Sequence, residues 1–190
     1  SSCSCNAARS ANLEAEGPVF ALPAGDMRVA VGGGYRYNRF ELRPILNQPF
    51  GVEESRKSHF LFGEVFLPVV GPEQAVPFVA RLSLTGALRY EDYNDYGGVT
   101  TPKIGAVWRP AEGIEVKASW GKSFKMPNLQ EQYLNSFVSV LPAALFPGLT
   151  AAPGATILYL NGGNPDLGPE RAEVFTAGVV FTPAQIPGLR

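Results

Sequence analysis

Apolar and polar residues alternate with period two in several segments of the chain. In residues 78–91, Leu82 and Leu84 fall in one set of alternate positions, while Arg81 and Ser83 fall in the other. Such alternation places one set of side chains on each face of a β-strand. Residues 78–91 therefore predict a long strand with one apolar and one polar face.

The same alternation marks other segments of the chain. The clear segments are 27–37, 103–109, 114–123 and 175–181, and the weaker ones are 13–22 and 59–70. The last of these is largely apolar on both faces, with Glu64 as its main polar interruption. No segment shows sustained helical periodicity. The pattern predicts an all-β fold, an antiparallel meander of about seven strands joined by sequential hairpins.

The connections between these segments alternate in length. Short turns are predicted at 23–26, 71–77 and 110–113, and long loops at 42–56, 92–102 and 125–170. Short turns at one end and long loops at the other are typical of outer-membrane barrels, whose turns face the periplasm and whose loops face outside. The pattern therefore predicts long extracellular loops and short periplasmic turns.

Two architectures produce alternating strands, a soluble β-sandwich and a transmembrane barrel, and alternation alone does not separate them. Segment 81–93 is longer than the five or six residues typical of strands in soluble proteins. Aromatic residues also lie near the predicted strand ends, as the girdles of a barrel require. The set toward the long loops is Tyr35, Tyr37, Tyr90, Tyr93 and Trp120; the set toward the short turns is Phe20, Phe66, Phe78, Trp108 and Phe181. Length and aromatic placement favour the large transmembrane barrel.

Composition agrees with a lightly charged, turn-rich chain. Only 17% of the 190 residues are charged, and there are 21 glycines and 17 prolines. The net charge of −1 and the scattered Lys and Arg residues argue against nucleic acid as a partner. Residues 132–163 carry no charge, but Pro142, Pro147 and Pro153 interrupt them too often for a spanning helix. A long apolar loop with a short helical turn is expected there.

The two cysteines, Cys3 and Cys5, lie in a polar N-terminal stretch and are separated by one residue. This spacing suits neither a relaxed disulfide nor a tetrahedral metal site. An incidental terminus is the preferred interpretation over a lipidated or redox-active one. No secretory signal is visible, so the chain is expected to be mature or a fragment, and a fragment is favoured.

Three sequence runs resemble the barrel of TonB-dependent receptors. The first is Leu-Arg-Tyr-Glu-Asp-Tyr-Asn-Asp-Tyr-Gly at 88–97, followed by Thr-Pro-Lys-Ile-Gly at 101–105 and Trp-Arg-Pro at 108–110. The second, at 118–129, is similar to the family's strand ending in Phe-Arg-Ala-Pro-Ser-Leu, with Lys125, Met126 and Asn128 as departures. The third, at 164–170, resembles the family's Asn-Pro-Asp-Leu-x-Pro-Glu element.

The resemblance implies that residues 12–190 are part of a receptor barrel, whereas residues 1–11 stay unassigned. It implies roughly a third of a barrel of about 22 strands, without the plug domain and the remaining strands. The implied function is ligand-gated active transport across the outer membrane of a Gram-negative bacterium, without enzyme activity and without a cofactor. The implied partners are outer-membrane lipid, the receptor's own plug, the TonB complex and a small ligand such as a ferric siderophore. A passive porin or structural barrel and a soluble β-sandwich binding module remain as alternatives.

Two sets of candidate site residues follow from this interpretation. Aromatic residues of the long loops are candidates for ligand contact: Tyr93, Tyr96, Tyr133, Phe137 and Tyr159. Cationic residues of the polar faces are candidates for contact with the lumen or the plug: Arg28, Arg36, Arg81, Arg89, Lys103, Arg109 and Lys117. Charge-assisted hydrogen bonds from this second set would hold a plug that rearranges during transport.

Three other features have ordinary explanations. Glu91, Asp92 and Asp95 bring carboxylates together as a calcium site or a hydrolase requires, but a solvated loop rim is the expected arrangement. His59 is the only histidine and is expected to be structural. The glycines at 32–34 lack the Lys-Ser/Thr that a phosphate loop requires. A strand bend or close packing against a plug explains them better. No catalytic or metal-binding constellation is predicted.

Overall fold

The computed structural model describes residues 2–44, 51–134, 136–146, 148 and 152–182. Its strands are β1 Ser2–Leu22, β2 Gly25–Pro44, β3 Val52–Val70, β4 Arg81–Tyr93, β5 Gly97–Ala111, β6 Ile114–Lys125, β7 Phe137–Pro142, β8 Thr156–Asn161 and β9 Glu170–Phe181. Seven of them form one sheet in the order β1-β2-β3-β4-β5-β6-β9. The pairs from β3 to β9 are antiparallel. The predicted meander of seven strands is confirmed.

The segment between β6 and β9 contains structure of its own. A short helix, α1, spans Leu129–Tyr133, and β7 pairs antiparallel with β8 in a second, two-stranded sheet. The expected helical turn is therefore confirmed, but the hairpin was not predicted because its short strands are uncharged and do not alternate. In the described part of the chain, no helix is long and apolar enough to cross a membrane.

The predicted long loop at 92–102 is wrong. Strand β4 continues to Tyr93 and β5 begins at Gly97, so three residues connect them. The reversal is tight because Gly97 adopts φ 90°, a conformation that costs glycine little. Asn94 also ties the turn to β3, since its backbone N–H donates to the carbonyl of Lys57 at 3.1 Å.

Other predicted boundaries shift for similar reasons. Strand β2 extends to Pro44 and β3 begins at Val52, so the predicted loop at 42–56 is shorter, and its residues 45–50 lie outside the described residues. Strand β4 begins at Arg81 and not at Phe78, because Phe78 has φ 60°, which is incompatible with a strand. The connection before β4 therefore covers ten residues, 71–80, and includes a 3₁₀ turn at Pro72–Gln74.

Close contacts divide the chain into two compact units. The first, called here the loop unit, comprises Ser1–Ala8, Asn38–Arg56 and Met126–Pro169. The second, called the strand unit, comprises Arg9–Tyr37, Lys57–Lys125 and Glu170–Arg190. Each unit is described by itself below.

The strand unit has one polar face and one apolar face, as the alternation predicts. The register places Leu82 opposite Trp108 and Arg81 opposite Arg109. Apolar residues of neighbouring strands therefore share one face, and polar residues share the other. The apolar face is open: Ile104 is 58% exposed and Phe175 is 72% exposed. A soluble sandwich would bury these side chains.

The glycines of β2 make room for aromatic rings of β3. A Cβ atom at Gly34 would lie 2.7 Å from the Cζ of Phe60 and 2.5 Å from the carbonyl oxygen of Ala11. At Gly32 it would lie 2.6 Å from the ring of Phe62. These glycines therefore serve close packing within the sheet itself.

Candidate functional site

The polar face of the strand unit carries a buried charged group, called here the polar-face cluster, made of Arg36, Ser58, Phe60, Arg89 and Glu91. The Glu91 carboxylate is 3% exposed. It accepts hydrogen bonds from Arg36 Nη1 at 3.0 Å and from Arg89 Nε and Nη2 at 3.1 and 3.0 Å. Charge-assisted bonds of this kind are about twice as strong as neutral ones. The carboxylate therefore fixes two guanidinium groups beside each other.

Phe60 forms the floor of the polar-face cluster. The guanidinium carbons of Arg36 and Arg89 lie 4.6 and 4.2 Å from its ring centroid. Such cation–π contacts add electrostatic attraction to the packing of the planar groups. This explains why the sequence of β3 is largely apolar on both faces. On the side that belongs to the polar face of the sheet, Phe60 packs against arginines of β2 and β4.

The polar-face cluster has an excess of positive charge. Two guanidinium groups surround one carboxylate, and the side chains of Arg36 and Arg89 are 44% and 30% exposed. Each arginine has five N–H donors, so donors remain for a further acceptor. The arrangement is suited to binding a carboxylate or another anion on the polar face.

The other candidate cations of this face differ in their partners. Glu115 pairs with Arg109 and, at 2.7 Å, with Lys117. Arg28 lies 3.6 Å from Glu16. Among the residues that the structure describes, Arg81 and Lys103 make no ion pair. Lys103 lines a groove of about 510 Å³ together with Glu16, Arg28 and Glu64.

The expectation that the carboxylates at the end of β4 and just beyond it form a solvated rim is wrong for Glu91. Alternation turns Glu91 onto the polar face, where the arginines cover it, whereas Asp92 lies on the other face and is exposed. The ring of His59 packs against Tyr35, with centroids 5.0 Å apart. In the described ranges, no group of three or more His, Cys, Asp and Glu side chains is placed to hold a metal ion.

A second arrangement, called here the loop anchor, lies in the loop unit and centres on Arg56. Its side chain is 5% exposed and donates to the carbonyl oxygen of Pro127 at 2.6 Å and to Oε1 of Gln132. Gln132 in turn donates from Nε2 to the carbonyl oxygen of Leu167 at 2.9 Å. One buried arginine thus joins β3, α1 and the end of the long loop.

The Asn-Pro-Asp-Leu run at 164–167 gains a structural explanation from the loop anchor. The backbone N–H of Asn164 donates to the carbonyl of Glu131 in α1 at 2.9 Å. Its side-chain oxygen accepts from the N–H of Asp166 at 3.0 Å, which forms a local turn. Glu131 also completes a capping box with Asn128 at the start of α1. The run at 164–167 and the helix α1 therefore stabilise each other.

The hairpin of β7 and β8 presents an apolar surface, called here the hairpin face. The register aligns Val138 with Leu160 and Val140 with Leu158, so all four side chains share one face. They are 61% to 75% exposed. An uncharged aliphatic surface of this kind is suited to contact with an apolar group.

The structure distributes the candidate aromatic residues between the two units. In the strand unit, Tyr93 makes an edge contact with Phe124 at 6.0 Å, and the Tyr96 hydroxyl accepts from Arg171 at 3.2 Å. In the loop unit, Tyr133 ends α1, Phe137 begins β7, and Tyr159 lies in β8 with its ring 5.8 Å from that of Phe146.

Sequence reasoning missed Arg56 and Gln132 and misjudged Glu91. In the sequence, Arg56 and Glu91 each lie on a strand face that also carries aromatic residues. A charge on such a face is a detectable signal of a buried interaction, because a buried charge requires partners. Gln132 offers no such signal, since its role depends on where α1 docks.

A meander with an open apolar face and a charged polar face is typical of transmembrane barrels. The family model of the TonB dependent receptor-like β-barrel matches residues 8–187. The chain therefore belongs to the TonB-dependent receptor family, a class of outer-membrane transporters and receptors of Gram-negative bacteria.

Individual relatives match in part. The vitamin B12 transporter BtuB of Vibrio cholerae is 40% identical over 57 residues, which are 30% of this chain and 9% of the transporter. The siderophore receptor PirA of Pseudomonas aeruginosa superimposes with a TM-score of 0.68 at 22% identity, covering 96% of this chain and 30% of that receptor. PirA of Acinetobacter baumannii gives 0.63 at 18% identity, covering 95% and 25%. The chain thus spans less than a third of each.

Proposed function

We propose that this chain forms part of the barrel of a receptor that takes up a scarce small ligand across the outer membrane, using energy delivered by the TonB complex. The observation that carries the proposal is the division of the strand unit into an exposed apolar face and a polar face with buried charges. In a membrane barrel these faces meet lipid and the lumen, respectively. Family membership supplies the energy-coupled mode of transport.

The polar face supports contact with a plug domain. The excess positive charge of the polar-face cluster, together with Arg81 and Lys103, would pair with carboxylates of the plug across the lumen. Hydrogen bonds between charged groups are strong and directional but exchange readily with water. They suit a plug that is held at rest and rearranged during transport.

The long loop supports ligand capture. The loop anchor holds both ends of this segment, so the hairpin between them is presented in a defined position. The hairpin face would contact the apolar part of an amphipathic ligand, and the ring of Tyr159, on the opposite face of the hairpin, offers a separate aromatic contact. Siderophores and vitamin B12 are the ligands named for relatives, and a ferric siderophore is the proposed class here.

Growth under nutrient limitation tests the proposed function. Cells whose only receptor of this class is the full-length protein would be grown on a panel of ferric siderophores and on vitamin B12. At least one ligand is expected to support growth only when both the receptor and TonB are present. A matched strain that lacks the receptor corrects for passive entry.

The alternatives predict different outcomes. Receptor-dependent growth that persists without TonB would favour a passive porin. Recovery of the full-length protein from the aqueous fraction without detergent would favour a soluble β-sandwich. Either result would contradict the proposed TonB-dependent uptake.

A further inference from the structure

The two cysteines form a pair that neither the polar-face cluster nor the loop anchor uses. Cys3 and Cys5 lie two residues apart in β1, so strand alternation places both side chains on the same face. Both are exposed, and their Sγ atoms are 3.6 Å apart. Two thiols are therefore presented together to solvent.

The extended backbone opposes a disulfide between them. Residues two apart in a strand have Cα atoms about 6.6 Å apart, near the upper end of the 4.4–6.8 Å range of disulfides and longer than their commonest separation of about 5.5–6 Å. The sulfur atoms would also have to approach from 3.6 Å to about 2.05 Å. Both cysteines are free in the structure, and their long Cα separation favours two separate thiols.

The same separation fits a shared metal ion. Two thiolates bound to one tetrahedral cation, with metal–sulfur bonds of about 2.3 Å, are about 3.8 Å apart. We propose that Cys3 and Cys5 chelate one thiophilic divalent cation of the zinc and cadmium class, with solvent completing its coordination. Spacing alone argues against a four-ligand site, but the extended strand brings two ligands together at the required distance.

The binding step is balanced without an oxidant. Each thiol loses its proton as its sulfur bonds to the cation, so one divalent cation displaces two protons. The second metal–sulfur bond forms within an already bound complex, so its effective concentration is high. The pair is therefore expected to bind at least about tenfold more tightly than either thiol alone.

Cadmium titration of the full-length receptor in detergent tests the proposal, because sulfur-to-cadmium charge transfer absorbs in the ultraviolet. The protein would be kept reduced with a phosphine, and other thiols subtracted with a Cys3→Ser/Cys5→Ser variant. A Cys5→Ser/Ser4→Cys variant is the matched control, because it keeps two thiols but directs them to opposite faces of β1.

The proposal predicts saturation at one Cd²⁺ per pair, with at least about tenfold weaker binding in Cys5→Ser and in the opposite-face control. Equal affinity in the opposite-face control, or no difference between the wild type and the double serine variant, would overturn it. So would a thiol assay showing that the pair is already oxidised in receptor purified without reductant.

Discussion

Glu91 balances the charges of Arg36 and Arg89, and this role sets the stability of the polar-face cluster. Replacing it by an uncharged side chain leaves two guanidinium groups beside each other on Phe60. Hydrogen bonds to charged groups contribute about 1.5–3 kcal/mol each. Because both arginines are partly exposed, water replaces some of this interaction.

We expect Glu91→Gln to lower the free energy of unfolding by about 1–2 kcal/mol. The measurement is urea unfolding of the full-length receptor in lipid vesicles, followed by tryptophan fluorescence. Asp92→Asn is the matched control, since this neighbouring carboxylate lies exposed on the other face; its effect should stay within about 0.5 kcal/mol. Equal destabilisation by both variants would contradict the assigned role of Glu91.

At the residue scale, the sequence predicts which face a strand residue occupies but not which partner it meets. Alternation assigns Arg36 and Arg89 to the polar face correctly. Their joint pairing with Glu91 depends on the register of β2, β3 and β4, which local pattern does not specify. The placement of Gln132 depends on where α1 docks, which local pattern does not specify either.

At the element scale, the strands extend farther than their alternation shows. Strands β1, β2 and β3 cover 21, 20 and 19 residues, whereas about 9–11 suffice to span a bilayer. Glycine-rich and aromatic stretches blur the period-two pattern, because their residues serve packing within the sheet. The β7–β8 hairpin was not predicted, because both its faces are largely apolar and its strands show no period-two alternation.

The loop anchor allows the hairpin to be removed alone. A Cβ atom at Gly162 would lie 2.4 Å from the Cα of Ser136, so these two positions are adjacent and a short glycine linker can replace residues 137–161. We expect this deletion to abolish binding of the ligand found in the growth assay, because the hairpin face and Tyr159 are lost.

The deletion should leave the barrel folded, with heat-modifiable mobility on gels as the measurement. Shortening the 71–80 connection of the strand unit serves as a control for the general effect of a loop deletion on the barrel. Retained ligand affinity after removal of the hairpin would contradict its proposed role.

At the scale of the whole molecule, the polar face is proposed to hold the plug in the lumen. We expect Lys103→Glu to increase entry of a large antibiotic into cells that carry the full-length receptor, because a reversed charge repels the plug carboxylate proposed to pair there. Lys57→Glu is the matched control, since Lys57 is exposed on the opposite face of the sheet. Identical antibiotic sensitivity of the two variants would count against plug contact at Lys103.

The open apolar face decides between a membrane barrel and a soluble domain, and neighbouring residues of β4 and β5 provide the test. Single spin labels at Leu84, Ile104 and Lys103, in a Cys3→Ser/Cys5→Ser background, would be probed in the full-length receptor in vesicles. Oxygen, which concentrates in hydrocarbon, should enhance the relaxation of the labels at Leu84 and Ile104. A water-soluble nickel complex should enhance the relaxation of the label at Lys103. Labels at Leu84 and Ile104 shielded from both reagents would show protein covering this face and would contradict the account.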